Sequence, residues 1–100
     1  MDKQFLRFLG LCQRAGKLMS GETGALGAVK DGSAKLIIVA ENASDNTKKR
    51  FKDSSAYYNK KIVIFGDKFE MGNAIGKGER SVYAVVDSGF ADKIIQMIGE

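Results

Sequence analysis

The chain has 100 residues, 44% of them hydrophobic and 28% charged, with a net charge of +4 and no histidine. This length and composition are typical of one globular domain, and the mild positive charge favours a polyanionic partner. The single cysteine, Cys12, and the missing histidines exclude internal disulfides, serine–histidine triads and the usual zinc sites, and no apolar run is long enough to span a bilayer.

The first predicted element is an amphipathic helix over residues 3–15 that ends near Gly16. Its apolar residues recur at helical spacing: Phe5, Phe8, Leu9, Cys12 and Ala15. Because Cys12 lies on this stripe, a small core residue is favoured over a reactive thiol. The charges threaded through this segment exclude a signal peptide, so we expect a cytoplasmic protein with no membrane partner.

A short edge strand at residues 17–19 leads into a second helix, predicted to begin with Ser20 as its N-cap. A helix start offers free backbone N–H groups and a positive dipole end, which Glu22 in the first turn complements. Gly24 and Gly27 disfavour the helix by about 2 kcal/mol together, relative to alanine. They indicate either close internal packing, favoured for Gly27, or the approach of a ligand backbone, favoured for Gly24.

The strongest strand signal is the apolar run at residues 36–40, which predicts a strand covered on both faces. Ser44 then caps a third helix, which carries the densest basic cluster of the chain: Lys48, Lys49, Arg50 and Lys52. A solvated helix face is the favoured interpretation of this cluster, with a phosphate-contacting patch as the alternative. The order strand, helix, strand implies that the next strand, at residues 62–65, pairs in parallel.

A short helix follows, capped at Asp67, with Gly72 facing a packing partner and Gly76 ending it. Residues 76–80 form a charged, glycine-containing loop, and residues 82–86 form the third strong strand, before a closing helix. Because helical patterns separate the three apolar strands, the sequence predicts an α/β fold built as a three-layer α/β/α sandwich. The three strands are expected to be neighbours in one sheet.

The glycine-rich segments do not match a phosphate-binding enzyme. A P-loop needs serine or threonine after its Gly-Lys pair, yet Gly78 follows Gly76 and Lys77 here. A dinucleotide-binding fingerprint places its glycines after a strand, whereas the glycines of the second helix precede the strong strand. No carboxylate pair stands out as in two-acid hydrolases. Enzyme is therefore the weak hypothesis, and a small-ligand pocket has no support.

The start of the second helix and the loop at residues 76–80 are expected at the same edge of the sandwich. Helix N–H groups bind phosphates and base edges, and glycines let a nucleic-acid backbone approach. Lys77 and Arg80 would neutralise phosphate charge. The chain lacks tryptophan, and its other aromatic residues lie mostly at core spacing, so shape recognition of folded RNA fits better than stacking on single strands.

Three segments make this pattern specific: SGETGALGAVKDGSAKLIIVAENAS, DKFEMGNAIGKG and VYAVVDSGFADKI. Through them, and over essentially its whole length, the chain resembles the ribosomal protein L7Ae family of kink-turn RNA-binding proteins, most of all its small bacterial YlxQ-type members. The resemblance implies an α/β/α sandwich with a four-stranded mixed sheet. It also implies one RNA-binding domain over residues 1–100, with no enzymatic activity, no metal and no cofactor.

Members of this family grip bent RNA with the start of the second helix and with the loop before the last strand. The resemblance therefore implies an RNA-binding site made of Ser20, Gly21, Glu22, Thr23, Gly24, Lys77, Gly78, Glu79 and Arg80. The chain departs from the family at two points. The family's Asn-Glu pair would fall on Thr23 and Gly24, with Glu22 one residue early as a substitute, and its apolar loop residues fall near residues 77–79.

The expected function is binding of structured, kink-turn-like RNA by a monomer, in a ribosomal or translational setting. The alternative is a ribosome-associated protein-interaction module that uses the same fold without reading kink-turns. Gly21 matches the family glycine and is expected at a helix position that tolerates a side chain, so that Gly21→Val would remove RNA binding without unfolding the chain. The alternative for Gly21 is a positive φ, where valine would strain the backbone.

Overall fold

The computed structural model describes residues 1–99, which form five helices and a four-stranded sheet; Glu100, the last residue of the predicted domain, lies outside them. The elements in chain order are α1 (Lys3–Arg14), β1 (Leu18–Ser20), α2 (Glu22–Lys30), β2 (Leu36–Val39), α3 (Asp45–Tyr57), β3 (Ile62–Ile64), α4 (Lys68–Ala74), β4 (Val82–Val85) and α5 (Ser88–Ile98). Across this part of the chain, no helix has the length and apolar character needed to cross a membrane.

The sheet is mixed, with the strand order β1-β4-β2-β3. β2 pairs in parallel with β3, where Ile37 lies opposite Ile62, and antiparallel with β4, where Ile38 lies opposite Tyr83. β1 pairs antiparallel with β4 and forms one edge of the sheet. The predictions that the three apolar runs are neighbouring strands and that the first two pair in parallel are both confirmed.

Helices cover both faces of the sheet. α2 and α3 pack against each other, whereas α1 packs against α4 and α5. All residues of β2 and β4 are buried, as expected for strands between two helical layers. Burial of each large apolar side chain stabilises the fold by about 1.5–3 kcal/mol, and the largest in the core are Tyr83, Phe5, Phe51, Leu9, Leu36, Ile37 and Ile38. The predicted α/β/α sandwich is confirmed.

Cys12 belongs to this core. Its side chain is buried, and its thiol donates a hydrogen bond to the carbonyl oxygen of Lys17 at 3.5 Å. Burial, and secondarily the negative charge of Asp87, raises the pKa of the Cys12 thiol to about 11. The thiol therefore stays protonated near neutral pH, which disfavours nucleophilic chemistry. The interpretation of Cys12 as a core residue is confirmed.

The close contact between α1 and α4 was not predicted from the sequence. Gly10, in the middle of α1, lies where a Cβ atom would come 2.9 Å from the carbonyl oxygen of Ala74. Such a distance is shorter than a normal carbon–oxygen contact, so only glycine lets the two helices approach this closely. The periodicity of α1 marks its buried stripe but not which position a neighbouring backbone reaches.

Candidate nucleic-acid interface

α2 begins directly after the edge strand, and Gly21 makes the turn between them. The N–H of Gly21 donates to the carbonyl oxygen of Val82 at 2.9 Å, while its own carbonyl accepts the first helical hydrogen bond from Ala25. The expectation that Ser20 caps the helix is wrong. Ser20 is the last residue of β1, opposite Tyr83, and Gly21 is the N-cap residue.

The backbone of Gly21 corrects a second expectation. Its φ of 86° and ψ of 163° lie in a region that is almost exclusive to glycine, so the position does not tolerate a side chain without strain. Space is not the obstacle, because the nearest heavy atom to a Cβ built there is Cδ of Arg80, at 3.9 Å. Gly21→Val would therefore destabilise the fold, by about 1–3 kcal/mol, rather than leave it intact.

α2 is also the one helix of residues 1–99 whose start no side chain caps. At α2 the N-cap residue is glycine, and within these residues the N–H groups of residues 22–24 donate to no acceptor. A capping side chain typically stabilises a helix by about 0.5–2 kcal/mol. A serine or aspartate caps each of the other four helices: Asp2 for α1, Ser44 for α3, Asp67 for α4 and Asp87 for α5.

Glu22 does not point away from the protein but reaches across to α3. Its Oε2 accepts a hydrogen bond from Oγ1 of Thr47, and its Oε1 lies 3.2 Å from Nη1 of Arg50. Thr47 in turn accepts from the hydroxyl of Ser44, the residue that caps α3. This network holds the first turn of α2 against the first turns of α3. Both carboxylate oxygens of Glu22 are engaged in it.

The same network accounts for part of the basic cluster on α3. Arg50 is engaged with Glu22, and Nζ of Lys49 lies 2.9 Å from a carboxylate oxygen of Asp53, one helical turn further on. Both pairs are solvent-exposed, which agrees with the favoured interpretation of a solvated helix face. Lys48 and Lys52 form no ion pair within the part of the chain described.

Internal packing explains neither glycine inside α2. A Cβ built at Gly24 would lie 3.7 Å from Cβ of Met19, an ordinary contact, and one built at Gly27 would meet nothing within 4 Å. Gly27 is exposed. The packing interpretation favoured for Gly27 is therefore wrong. For Gly24, which lies in the first turn and carries one of the uncapped N–H groups, the approach of a ligand backbone stays a prediction.

The loop after α4 is held by its backbone. A Cβ atom on Gly72 would overlap the carbonyl oxygen of Gly78, and the N–H of Lys77 donates to the carbonyl oxygen of Gly72 at 3.0 Å. The predicted close packing at Gly72 is confirmed. Gly76 has a φ of +73° and follows the last residues of the helix, so its predicted role in ending α4 is confirmed as well.

Both backbone polar groups of Arg80 form hydrogen bonds. Its N–H donates to the carbonyl oxygen of Lys68 at 3.1 Å, and its carbonyl accepts from the hydroxyl of Tyr83 at 2.9 Å. Burial raises the pKa of Tyr83 although the nearby Arg80 opposes the shift, so the hydroxyl remains a donor. Because the side chain of Arg80 passes over Gly21, the start of α2 and the loop meet, as expected. We call residues 20–24 and 77–80 the α2–loop surface.

Sequence reasoning missed two residues beside this surface. Nζ of Lys68 lies 3.3 Å from the carboxylate of Glu79 and 5.4 Å above the ring of Phe69. The amide of Asn42 donates to Asp67 and accepts from the N–H of Lys68, both at 2.9 Å. The signal that could have found them is topological. Asn42 follows β2, Lys68 follows β3, and parallel strands end at the same edge of a sheet.

The surface presents groups that can bind an anion. It presents backbone N–H donors, the cation Lys77, which forms no ion pair within residues 1–99, and the guanidinium of Arg80, whereas Glu79 pairs with Lys68. In residues 1–99 no three potential metal-ligating side chains cluster. This is a combination that suits an anion with an extended, shaped backbone.

Comparisons with known proteins agree with this architecture. Residues 3–95 match the model of the ribosomal protein L7Ae/L30e/S12e/Gadd45 family. The chain is 40% identical to RNA-binding protein YlxQ of Enterococcus faecium over 93% of this chain and 89% of that one. It is 37% identical to RNA-binding protein YlxQ of Bacillus subtilis, over 95% of each chain.

A solved structure supports the fold independently of these sequence matches. It belongs to a protein of unknown function from Bacillus halodurans, which superimposes with a TM-score of 0.92 at 36% identity, over 99% of this chain and 100% of that one. The resemblance drawn from the sequence is thereby confirmed. The chain belongs to the ribosomal protein L7Ae/L30e/S12e/Gadd45 family.

Proposed function

We propose that the protein binds RNA, that its target is sharply bent and kink-turn-like, and that the α2–loop surface is the binding site. The names of the two YlxQ relatives support RNA as the partner. Membership in a family of ribosomal proteins supports a ribosomal or translational setting. The proposal includes all nine residues predicted from the sequence, with different roles for some of them.

The observation that carries the proposal is the uncapped start of α2. Three N–H groups, at residues 22–24, are left without an acceptor at a helix start where Gly21 adds no side chain to cover them. The other four helices of residues 1–99 are capped from within. Phosphate or base-edge oxygens are suitable acceptors for such a cluster, and the positive end of the helix dipole adds to the attraction.

The loop would supply charge and shape. Lys77 is exposed on the loop, and the backbone of Arg80 is held by two hydrogen bonds while its side chain lies beside Gly21, at the start of α2. Gly72 and Gly78 keep the loop flat against α4. A loop held in place at one edge of the sheet favours recognition of a backbone by its shape, which is how folded RNA is usually recognised.

The departures from the family motif change how bases would be read. Because the carboxylate of Glu22 is held by α3, it does not replace the family's Asn-Glu pair. Thr23 is exposed and retains a hydroxyl, and Gly24 retains only its N–H. We therefore propose that backbone N–H groups and phosphate contacts contribute most of the affinity, with little direct base readout.

An electrophoretic titration tests the proposal directly. Three RNAs of matched length are compared at two salt concentrations: a kink-turn, a plain duplex and a single strand. We expect the kink-turn to bind most tightly. We also expect its affinity to fall as salt rises, because lysine and arginine side chains release salt ions from the phosphates on binding, and added salt opposes this release. Equal affinity for all three RNAs would contradict shape recognition. Binding to none of them would favour the protein-interaction alternative.

A further inference from the structure

We infer that a groove between α1 and α5 binds a protein partner, through an amphipathic helical segment with acidic residues along its flanks. The groove lies in the helical layer formed by α1, α4 and α5, whereas α2 packs with α3 in the other layer. It shares no residue with the α2–loop surface, so the protein can hold RNA and this partner at the same time.

The floor of the groove is apolar. The rings of Phe8 of α1 and Phe90 of α5 contact each other in a tilted arrangement, with centroids 5.3 Å apart, and both side chains are only half-buried. Leu11, one turn along α1, leaves 44% of its surface exposed. These residues and Gly89 line a groove of about 410 Å³. Contiguous exposed apolar surface of this kind marks interaction sites more often than single exposed residues do.

The groove is long enough for a helix. It continues past Phe8 and Leu11 to Gln4 and Met97, and along α1 it extends from Gln4 to Arg14. At 1.5 Å per residue, this ten-residue separation corresponds to about 15 Å, or roughly three helical turns. An amphipathic helix lying in such a groove would place apolar residues at i, i+3, i+4 and i+7 against the floor.

The rim of the groove is positively charged. Arg7 and Arg14 of α1 and Lys93 of α5 line it, and in residues 1–99 none of them pairs with a carboxylate. The acidic residue of the lining, Asp87, is committed to α5, because its Oδ2 accepts a hydrogen bond from the N–H of Phe90 at 2.9 Å. Complementary charge steers and orients partners, so this rim selects an acidic one.

Charge also argues against the other occupants. A two-fold contact with a second copy would bring the same three cations against one another, which is repulsive. RNA would gain from the cations but not from a floor of leucine and phenylalanine, which offers no donors for phosphates. An acidic amphipathic helix satisfies both the floor and the rim.

A synthetic peptide provides the test. The probe is a fluorescein-labelled helical peptide of 14 residues, with leucine at i, i+3, i+4 and i+7 and glutamate on both flanks. Three variants of the full chain are compared by fluorescence anisotropy: Leu11→Asp, the double variant Arg7→Glu with Lys93→Glu, and the control Tyr57→Ala. We expect Leu11→Asp and the double variant each to weaken binding about tenfold or more. Tyr57, which is 82% exposed on α3, should be replaceable without effect.

Control peptides and amide shifts decide between occupants. A peptide with lysine in place of glutamate should bind far more weakly, and the acidic peptide should shift backbone amide resonances of α1 and α5. The inference is overturned by no saturable binding up to about 1 mM peptide, by equal binding of the lysine peptide, by Leu11-dependent self-association in sedimentation, or by duplex RNA shifting the same amides. Leu11→Asp should bind kink-turn RNA like the parent, which separates this test from that of the proposed function.

Discussion

The backbone of Gly72 lies against the carbonyl of Gly78, so close that any side chain on Gly72 would overlap that oxygen. The contact joins the middle of α4 to the loop that carries Lys77 and Arg80. Because the obstructing atom belongs to the backbone, the loop itself would have to move to make room. A single missing methyl group thus controls where two of the proposed RNA-binding cations lie.

Gly72→Ala is expected to displace the loop. We expect a loss of stability of about 1–3 kcal/mol, the usual range for overpacking a tight contact, and a loss of RNA affinity measured where the variant is still folded. Thermal unfolding and RNA titration at low temperature measure the two effects. Gly78→Ala is the control for stability alone, because a Cβ there meets nothing within 4 Å, whereas Gly78 itself belongs to the proposed binding surface. Full RNA binding by folded Gly72→Ala would show that the loop position does not matter.

Gly21→Ala separates strain from contact. A side chain at a φ of 86° costs about 1–3 kcal/mol, so the melting temperature should fall, and a methyl group beside the uncapped N–H groups should also reduce RNA affinity. Gly32→Ala is the matched control, since Gly32 has a φ of +85° with open space around it, beyond the other end of α2. Both variants should melt early, yet only Gly21→Ala should lose RNA binding under conditions where both are folded.

Gly24 and Gly27 form a second matched pair. Alanine at either position should stabilise α2, by about 0.5–1 kcal/mol, because neither Cβ would meet an obstacle. Only Gly24→Ala, in the first turn, should weaken RNA binding. Denaturant unfolding and RNA titration of the two single variants measure this contrast. If both variants become more stable and bind RNA like the parent, no ligand approaches this side of the helix.

Lys77→Ala and Arg80→Ala should each weaken RNA binding by a similar factor for all RNA sequences, since both are assigned to phosphates. The slope of log affinity against log salt should become shallower by about one unit for each lost contact. Lys48→Ala and Lys52→Ala on α3 are the controls, and we expect little change from them. A larger loss from the α3 variants would move the binding surface to the basic cluster.

Glu22→Gln tests whether this carboxylate reads RNA or only joins two helices. Removing its charge should cost little stability, less than about 1 kcal/mol, because the pair with Arg50 is exposed to solvent. It should strengthen RNA binding and steepen the salt dependence, since a negative charge disappears and Arg50 is released. Weaker binding of Glu22→Gln would instead make Glu22 a direct RNA contact.

The sequence predicted the elements well where the physical signal is local. The apolar runs of β2, β3 and β4 identified the sheet, and serine or aspartate before a helical pattern correctly identified the caps Ser44 and Asp67. At Ser20 the same rule failed. Serine is a favoured cap, but pairing with β4 extends β1 through Ser20 and moves the turn to Gly21. That pairing joins residues more than sixty positions apart, which periodicity cannot show.

The sequence predicted which segments form the candidate site but not the side-chain contacts that these segments make. The two segments of the α2–loop surface were expected at one edge, and the structure places Arg80 over Gly21 there. The engagement of Glu22 by α3 was not foreseeable, because Thr47 and Arg50 lie on a helix whose rotation depends on the packed sheet. Likewise, the open space around Gly27 is a property of the assembled layers.

The three-residue strand β1 has a consequence for the motions of the protein. An edge strand this short is bonded on one side only, to β4, and such segments open more easily than a sheet's centre. The last bond of that pairing is the one from Gly21 to Val82. A ligand bound to the N–H groups that follow Gly21 would therefore stabilise the pairing of β1 with β4 and slow hydrogen exchange across β1. Because the ligand binds only while β1 is paired, tighter binding at this edge and slower opening of the strand should be observed together.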